Sequence, residues 1–226
     1  MLPKTAAINV GEFINYFKQW TDEGYEVIHL ALGSALSSTY RNCCIAAKEL
    51  KNVYPIDSRS LSTGIGMLAI EAAERIAQGM SAAEIQQEIN SLRTKNQVSF
   101  VLDTLEFLHA GGRCNGIASI SANLLKIKPC IEVDNTTGKM RVGQKFRGAL
   151  DKVLKKYVVN KLLNREDLNL NRIFITHSGI SSELINLVRD TILDIADFKE
   201  ILVTRAGCTI ASHCGPNTLG IIFMTK

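Results

Sequence analysis

Short apolar runs in this chain alternate with longer stretches in which apolar residues return every three or four positions. In GEFINYFKQWTDEG they fall at Phe13, Ile14, Phe17 and Trp20, which predicts one apolar helical face ending at Gly24. YEVIHLALG, an apolar run closed by glycine, predicts a buried strand. LSSTYRNCCIAAKELKN follows as a helix opened by a Ser/Thr cluster, and NVYPIDS as a second strand whose Pro55 favours an edge or terminal position. SLSTGIGMLAIEAAERIAQGM predicts a helix with a glycine-rich first turn. Ser81 and Glu84 then make a capping box for SAAEIQQEINSLRTK, and QVSFVLD is a third strand. Strands separated by helical crossovers predict a parallel α/β sheet.

The second half has a different pattern. After LDTLEFLHAGGRCNG come a helix candidate, IASISANLLKI, and the strand KPCIEV. DNTTGK is a turn with Gly138 suited to a hairpin, and MRVGQKF is the returning strand. An amphipathic helix runs from roughly Gly148 to Asn164. RIFITHS, SSELINLVRDTILDIAD, EILVTRA and LGIIFMT then read as strand, helix, strand and strand. The expected fold class is α/β in two domains: a parallel-sheet domain over 1–97 and a mixed-sheet domain over 98–226, with the boundary near Lys95–Val98.

Composition narrows the function classes. With 226 residues, 46% of them hydrophobic and 21% charged, the chain can build a substantial core. Its net charge of +4 is mild and spread out. The one dense basic stretch, GALDKVLKKYVVNKLLNR, has helical spacing and only Tyr157 as an aromatic, so it reads as a solvated helix face rather than a nucleic-acid surface. Six cysteines at irregular spacing, without any C-x-x-C, suit reduced thiols in a cytoplasmic protein. MLPKTAAINV lacks the pattern of a secretion signal, and no apolar run reaches the ~20 residues of a membrane span.

Four stretches could carry chemistry. GSALSSTY follows the first strand and opens a helix, where hydroxyls and free backbone N–H groups suit an anion; the plainer reading is a Ser/Thr helix cap. TGIGM lacks the lysine of a phosphate loop, and close packing explains its glycines better. HAGGRCNG could project Arg113 from a tight turn, or could be a helix end with Gly111 as the left-handed residue and Arg113 in solvent. ASHCGPNTLG sets His213 and Cys214 in a turn between strands. His213 there is open to four roles: catalytic base, metal ligand, anion partner or turn residue. No nucleophile elbow accompanies it, and neighbouring side chains on an extended segment bind one ion poorly.

The order of these stretches resembles the DegV family of bacterial fatty-acid-binding proteins, the acyl-carrying subunits of a fatty acid kinase. TAAIN retains only Thr5 of the family's T-S-Q-P-S block, and GSALSSTY matches S-S-x-L-S-G-T-Y at Ser34, Leu36, Ser37, Thr39 and Tyr40. IDS at Ile56–Ser58 matches V-x-D-S, and LDTLEFLHAGGR is a nearly intact L-D-T-L-E-Y-L-x-x-G-G-R. LLKIKP matches L-L-x-I-K-P, and ASHCGPNTLG matches G-x-H-x-G-P-G-x-L-G. The matches span essentially the whole chain.

The resemblance implies a two-domain α/β protein enclosing one long-chain fatty acid in an apolar tunnel. It implies carboxylate contacts from Thr5, Ser37, the amide of Ser38 and His213, with Arg113 at the head group or the kinase-docking face. The catalytic subunit of the kinase is the implied partner and forms the acyl-phosphate, so the carrier itself is expected to have no catalytic residue, cofactor or metal. Ser38 stands where the family has glycine, and Asn217 where it has the second glycine of G-P-G. The family's first strand, with its D-S-T-x-D segment, is expected to be missing, as in a truncated frame or a short form. Two other readings are a non-binding remnant and a hydrolase or transferase using His213 with Ser37 or Cys214.

Overall fold

The computed structural model describes residues 3–113 and 127–226. The chain divides into two compact units. The smaller holds Thr5–Asn96 with the hairpin tip Asn135–Lys139, and the larger holds Gln97–Asp134 and Met140–Lys226 with the first four residues.

In the smaller unit, β1 (Val27–Ala31) and β2 (Val53–Asp57) pair in parallel, with Val27 opposite Val53 and Ala31 opposite Asp57. Period-two alternation sends the two faces of this sheet to different helices. Ile28, Leu30 and Ile56 pack with Leu68, Ala72, Ile85 and Ile89 of α3 (Thr63–Ala77) and α4 (Ala82–Leu92). Val27 and Val53 pack instead with Phe13 and Phe17 of α1 (Val10–Thr21) and Cys43 and Ala46 of α2 (Thr39–Lys48). His29 joins that second face, edge-on to both phenylalanine rings, and its burial lowers its pKa. Both faces are covered, so these strands read as nearly continuous apolar runs. The capping box of Ser81 and Glu84 forms as the sequence predicts, and Asn9 and Glu12 make a second one on α1.

The larger unit is built on a six-stranded mixed sheet in the order β5-β4-β3-β8-β6-β7. Its strands are β3 (Asn96–Val101), β4 (Ile127–Val133), β5 (Met140–Arg147), β6 (Leu168–His177), β7 (Glu200–Arg205) and β8 (Leu219–Thr225). β3 corrects the sequence reading. QVSFVLD is not the third strand of the parallel sheet; it pairs antiparallel with β4 inside the mixed sheet. The β4–β5 hairpin turns through Gly138 at φ 72°. Four helices complete the unit among the described residues: α6 (Leu150–Leu162), α7 (Ser182–Leu193), the short α5 (Glu106–Ala110) and α8 (Cys208–Cys214). α8 occupies a stretch read from sequence as a turn. The candidate helix IASISANLLKI lies outside the described residues except for Ile127, which opens β4.

α6 carries Lys152, Lys155 and Lys156 outward, pairs Lys161 with Glu132, and buries Val153, Leu154, Tyr157, Val158 and Leu162 in the main core. Tyr157 is fully buried, and burial raises its phenol pKa well above the ordinary value. Its hydroxyl lies 2.8 Å from both the Ser99 hydroxyl and the Ser99 carbonyl and accepts the Ile221 N–H at 3.0 Å. One phenol thus ties α6 to β3 and β8. Tyr157→Phe strands a buried strand N–H and is expected to cost about 1–3 kcal/mol in urea unfolding.

Candidate functional site

In the smaller unit, the segment after β1 turns sharply because Gly33 accepts two bonds at its carbonyl, from the N–H groups of Leu36 and Ser37. Gly33 has no room for a side chain: a Cβ would meet the Ser60 backbone nitrogen at 2.9 Å. Ser37 then lies half-buried ahead of α2, and its hydroxyl accepts the Thr39 N–H at 3.2 Å and lies 2.8 Å from the Thr39 hydroxyl. Ser38 is the N-cap residue, exposed, at φ −74° and ψ −3°, and it makes no side-chain cap bond. That φ is ordinary for any residue, so the family's glycine is not required at this position. The first amides of a helix lack intrahelical acceptors, and here the start of α2 offers N–H groups beside two serine hydroxyls.

Thr5 is half-buried. The segment behind it is tied to α2, since Asn42 on the first turn donates its amide to the Ile8 carbonyl at 2.8 Å. Thr5, Ser37 and Ser38 therefore belong to two segments joined at one helix start.

The larger unit brings together the motifs that hold Arg113 and His213. α5 and α8 pack on each other, with glycine at both points of closest approach. A Cβ on Gly111 would stand 2.7 Å from Cε1 of His213, so the imidazole lies directly on the glycine backbone. A Cβ on Gly215 would stand 2.8 Å from Cε2 of Phe107. His213 occupies the last turn of α8, and Gly215 ends that helix at φ 74° before Pro216. The reading of His213 in a turn between strands is thereby corrected. So is the argument that His213 and Cys214 point oppositely on an extended segment.

HAGGR needs a correction as well. Gly111 is right-handed, at φ −77°, and the left-handed residue is Gly112, at φ 68°. Arg113 is half-buried rather than in solvent, and donates from Nη1 to the Gly111 carbonyl at 2.7 Å. Burial, followed by the neighbouring Arg113 charge, holds the His213 pKa below 6.5, so the ring is neutral at pH 7. A neutral imidazole beside a fixed guanidinium offers one N–H donor and a nearby cation, which together suit an anion.

Asn217 stands in the left-handed region at φ 59°, as the replaced glycine requires. Its side-chain amide donates to Asp103 at 3.1 Å, and Lys128 binds the same carboxylate. This anchor between the LDTLEFL and GPN segments was not read from the sequence. Burial pushes the Cys214 thiol up to about 12, which removes it as a nucleophile near neutral pH. Of the TGIGM glycines, Gly66 needs a revised account, since a Cβ there would meet nothing nearer than 3.9 Å; Gly64 is buried in α3. Among the described residues no group of three or more His, Cys, Asp or Glu could hold a metal ion, and no helix is long and apolar enough to cross a membrane.

Fold and candidate residues thus define a mixed α/β protein with hydroxyl and amide donors in one unit and an imidazole–guanidinium pair in the other. The chain belongs to the DegV family: the family profile, described as uncharacterised protein, DegV family, matches residues 1–226. A DegV domain-containing protein of Clostridium perfringens is 31% identical over 236 residues, covering 99% of this chain and 78% of the relative. The solved structure of a DegV lipid binding protein from Thermotoga maritima matches with a TM-score of 0.85 at 26% identity, covering 100% of this chain and 78% of that one. A DegV family protein from Thermus thermophilus, described by its fatty acid binding, matches with a TM-score of 0.86 at 26% identity, over 99% and 79%.

Proposed function

We propose that this chain binds a long-chain fatty acid and presents its carboxylate to a fatty acid kinase for acyl-phosphate formation, without catalysing a reaction itself. Thr5, Ser37, the amide of Ser38 and His213 hold the carboxylate in this reading, and Arg113 serves the head group or the kinase-docking face. The observation that carries it is the likeness, over essentially the whole chain, to solved DegV proteins described as lipid-binding and fatty-acid-binding. The chemistry agrees, because a carboxylate needs several N–H and O–H donors and one cation at most, not a nucleophile. The buried Cys214 thiol, with its raised pKa, counts against the hydrolase or transferase reading that used it.

Native mass spectrometry of the purified chain is expected to find a fatty acid mass. Delipidated protein is expected to gain thermal stability on adding oleate or palmitate; no bound lipid and no shift with either would refute the reading. Ser37→Ala should weaken fatty acid binding by about 1–3 kcal/mol in a titration of delipidated protein. An unchanged affinity would remove Ser37 from the carboxylate site.

A further inference from the structure

We infer that Arg59 and Arg93 form an oxyanion site at the end of β2, one that takes a phosphate-type group. The site lies wholly in the smaller unit and needs no fatty acid. Asp57 closes β2, and its carboxylate takes three bonds, none from a guanidinium. Oδ1 accepts the N–H groups of Ser34 and Arg59, each at 3.0 Å, and Oδ2 accepts the Ser34 hydroxyl at 2.6 Å. Arg93 reaches the same residue at its backbone, donating from Nη1 to the Asp57 carbonyl at 2.6 Å. Among the described residues neither arginine forms an ion pair, and the buried Nε of Arg93 has no acceptor. The two guanidinium charges are close enough to disfavour each other: burial and then Arg59 lower the Arg93 pKa. Two cations thus gather around one carboxylate already engaged by other donors.

The loop between them adds donors. Ser60 is only 2% exposed, yet its hydroxyl has no partner among the described residues. Arg59 and Ser62 both adopt positive φ, 48° and 51°, although neither is glycine. Such backbone strain persists only where the surroundings impose it. Here the Ser60 carbonyl is pinned by the Gly33 N–H at 2.9 Å, and Gly138 of the hairpin tip packs against the Arg59 backbone. The loop leads into the N-terminus of α3, a 15-residue helix whose N-cap Ser62 makes no side-chain cap bond. Guanidinium N–H groups match oxyanions, and the dipole of α3 favours an anion at its start, where the Gly64 and Ile65 N–H groups already bond the Leu61 and Ser62 carbonyls. The Arg59 guanidinium, the remaining N–H groups of Arg93 and the Ser60 hydroxyl offer more donors than a carboxylate's two oxygens take up, and a tetrahedral phosphate supplies the acceptors.

The source is free phosphate or the phosphorylated end of a lipid, and one experiment separates them. Thermal unfolding of the full chain is followed in sodium phosphate, in sodium chloride at equal ionic strength, and with dodecyl phosphate. Phosphate should stabilise saturably where chloride does not, and Arg59→Gln and Arg93→Gln should each weaken that response about tenfold. Lys155→Gln, on the exposed side of α6, should leave it unchanged. A dodecyl phosphate response that is tighter than that of inorganic phosphate and equally arginine-dependent assigns the site to a lipid phosphate. Equal responses assign it to the free ion. Equal stabilisation by chloride, or unchanged phosphate response in the arginine variants, overturns the site. Should Arg93→Gln fail to fold, Arg59→Gln decides alone, because among the described residues Arg59 is held by its backbone N–H and its guanidinium makes no bond. Fatty acid binding is measured separately, so either reading can fail without the other.

Discussion

Gly215→Ala is expected to lower the stability of the chain by about 2–4 kcal/mol, combining a left-handed residue that has gained a Cβ with an overpacked contact. At φ 74° an L side chain is strained whatever space surrounds it, and here there is no space. The new methyl would press on the Phe107 ring, which α5 holds against the end of α8. Urea unfolding separates the two causes. Phe107→Leu removes the ring, so adding it to Gly215→Ala should recover the steric part while the backbone part remains. The double-mutant cycle therefore carries a coupling energy, and strict additivity would show that Phe107 and Gly215 do not meet as described. Unchanged m-values are expected, since the unfolded surface is the same.

The contact between these two motifs is also where sequence reading stopped. The fold class was legible because it rests on local periodicity. Both faces of β1 and β2 are covered, so they appear as unbroken apolar runs, and Ser81 with Glu84 marks α4 before any tertiary contact exists. The sheet to which β3 belongs is a non-local fact. QVSFVLD looks the same beside a parallel or an antiparallel neighbour, and only pairing with β4 decides it. α8 escaped because seven residues are too few for a period, and its N-cap Gly207 carries no side-chain signal. The candidate site divides the same way. GSALSSTY, HAGGR and ASHCGPN each announce donors and tight turns, so Ser37, Ser38, Arg113 and His213 could be singled out one at a time. No single stretch contains the packing of His213 on Gly111, the reach of Asn217 to Asp103, or the convergence of Arg59 and Arg93 on Asp57. Those depend on residues separated by tens of positions, and a glycine's missing side chain leaves no mark in the pattern.

Gly111→Ala tests whether that packing positions the imidazole for the proposed carboxylate contact. The added Cβ would overlap the ring edge, 2.7 Å from Cε1, so His213 must rotate off α5 or the two helices must part. A stability loss of about 1–3 kcal/mol is expected from the overpacking alone. The functional readout is the ring's own titration. In the native protein burial and Arg113 keep the His213 pKa below its unfolded value of 6.5. The unfolded chain therefore takes up the proton first, and the His213 contribution to stability is lost as pH falls below 6.5. A ring displaced toward water regains hydration, so its pKa should climb toward 6.5 and that pH dependence should shrink. Histidine Cε1–H resonances followed by NMR report the shift, and fatty acid affinity should fall about tenfold with the lost donor. Gly111→Ala protein that keeps the native titration and the native affinity would show that His213 is held by something other than the glycine. A moved titration with full affinity would instead release His213 from the carboxylate and leave Thr5, Ser37 and the Ser38 amide to hold it.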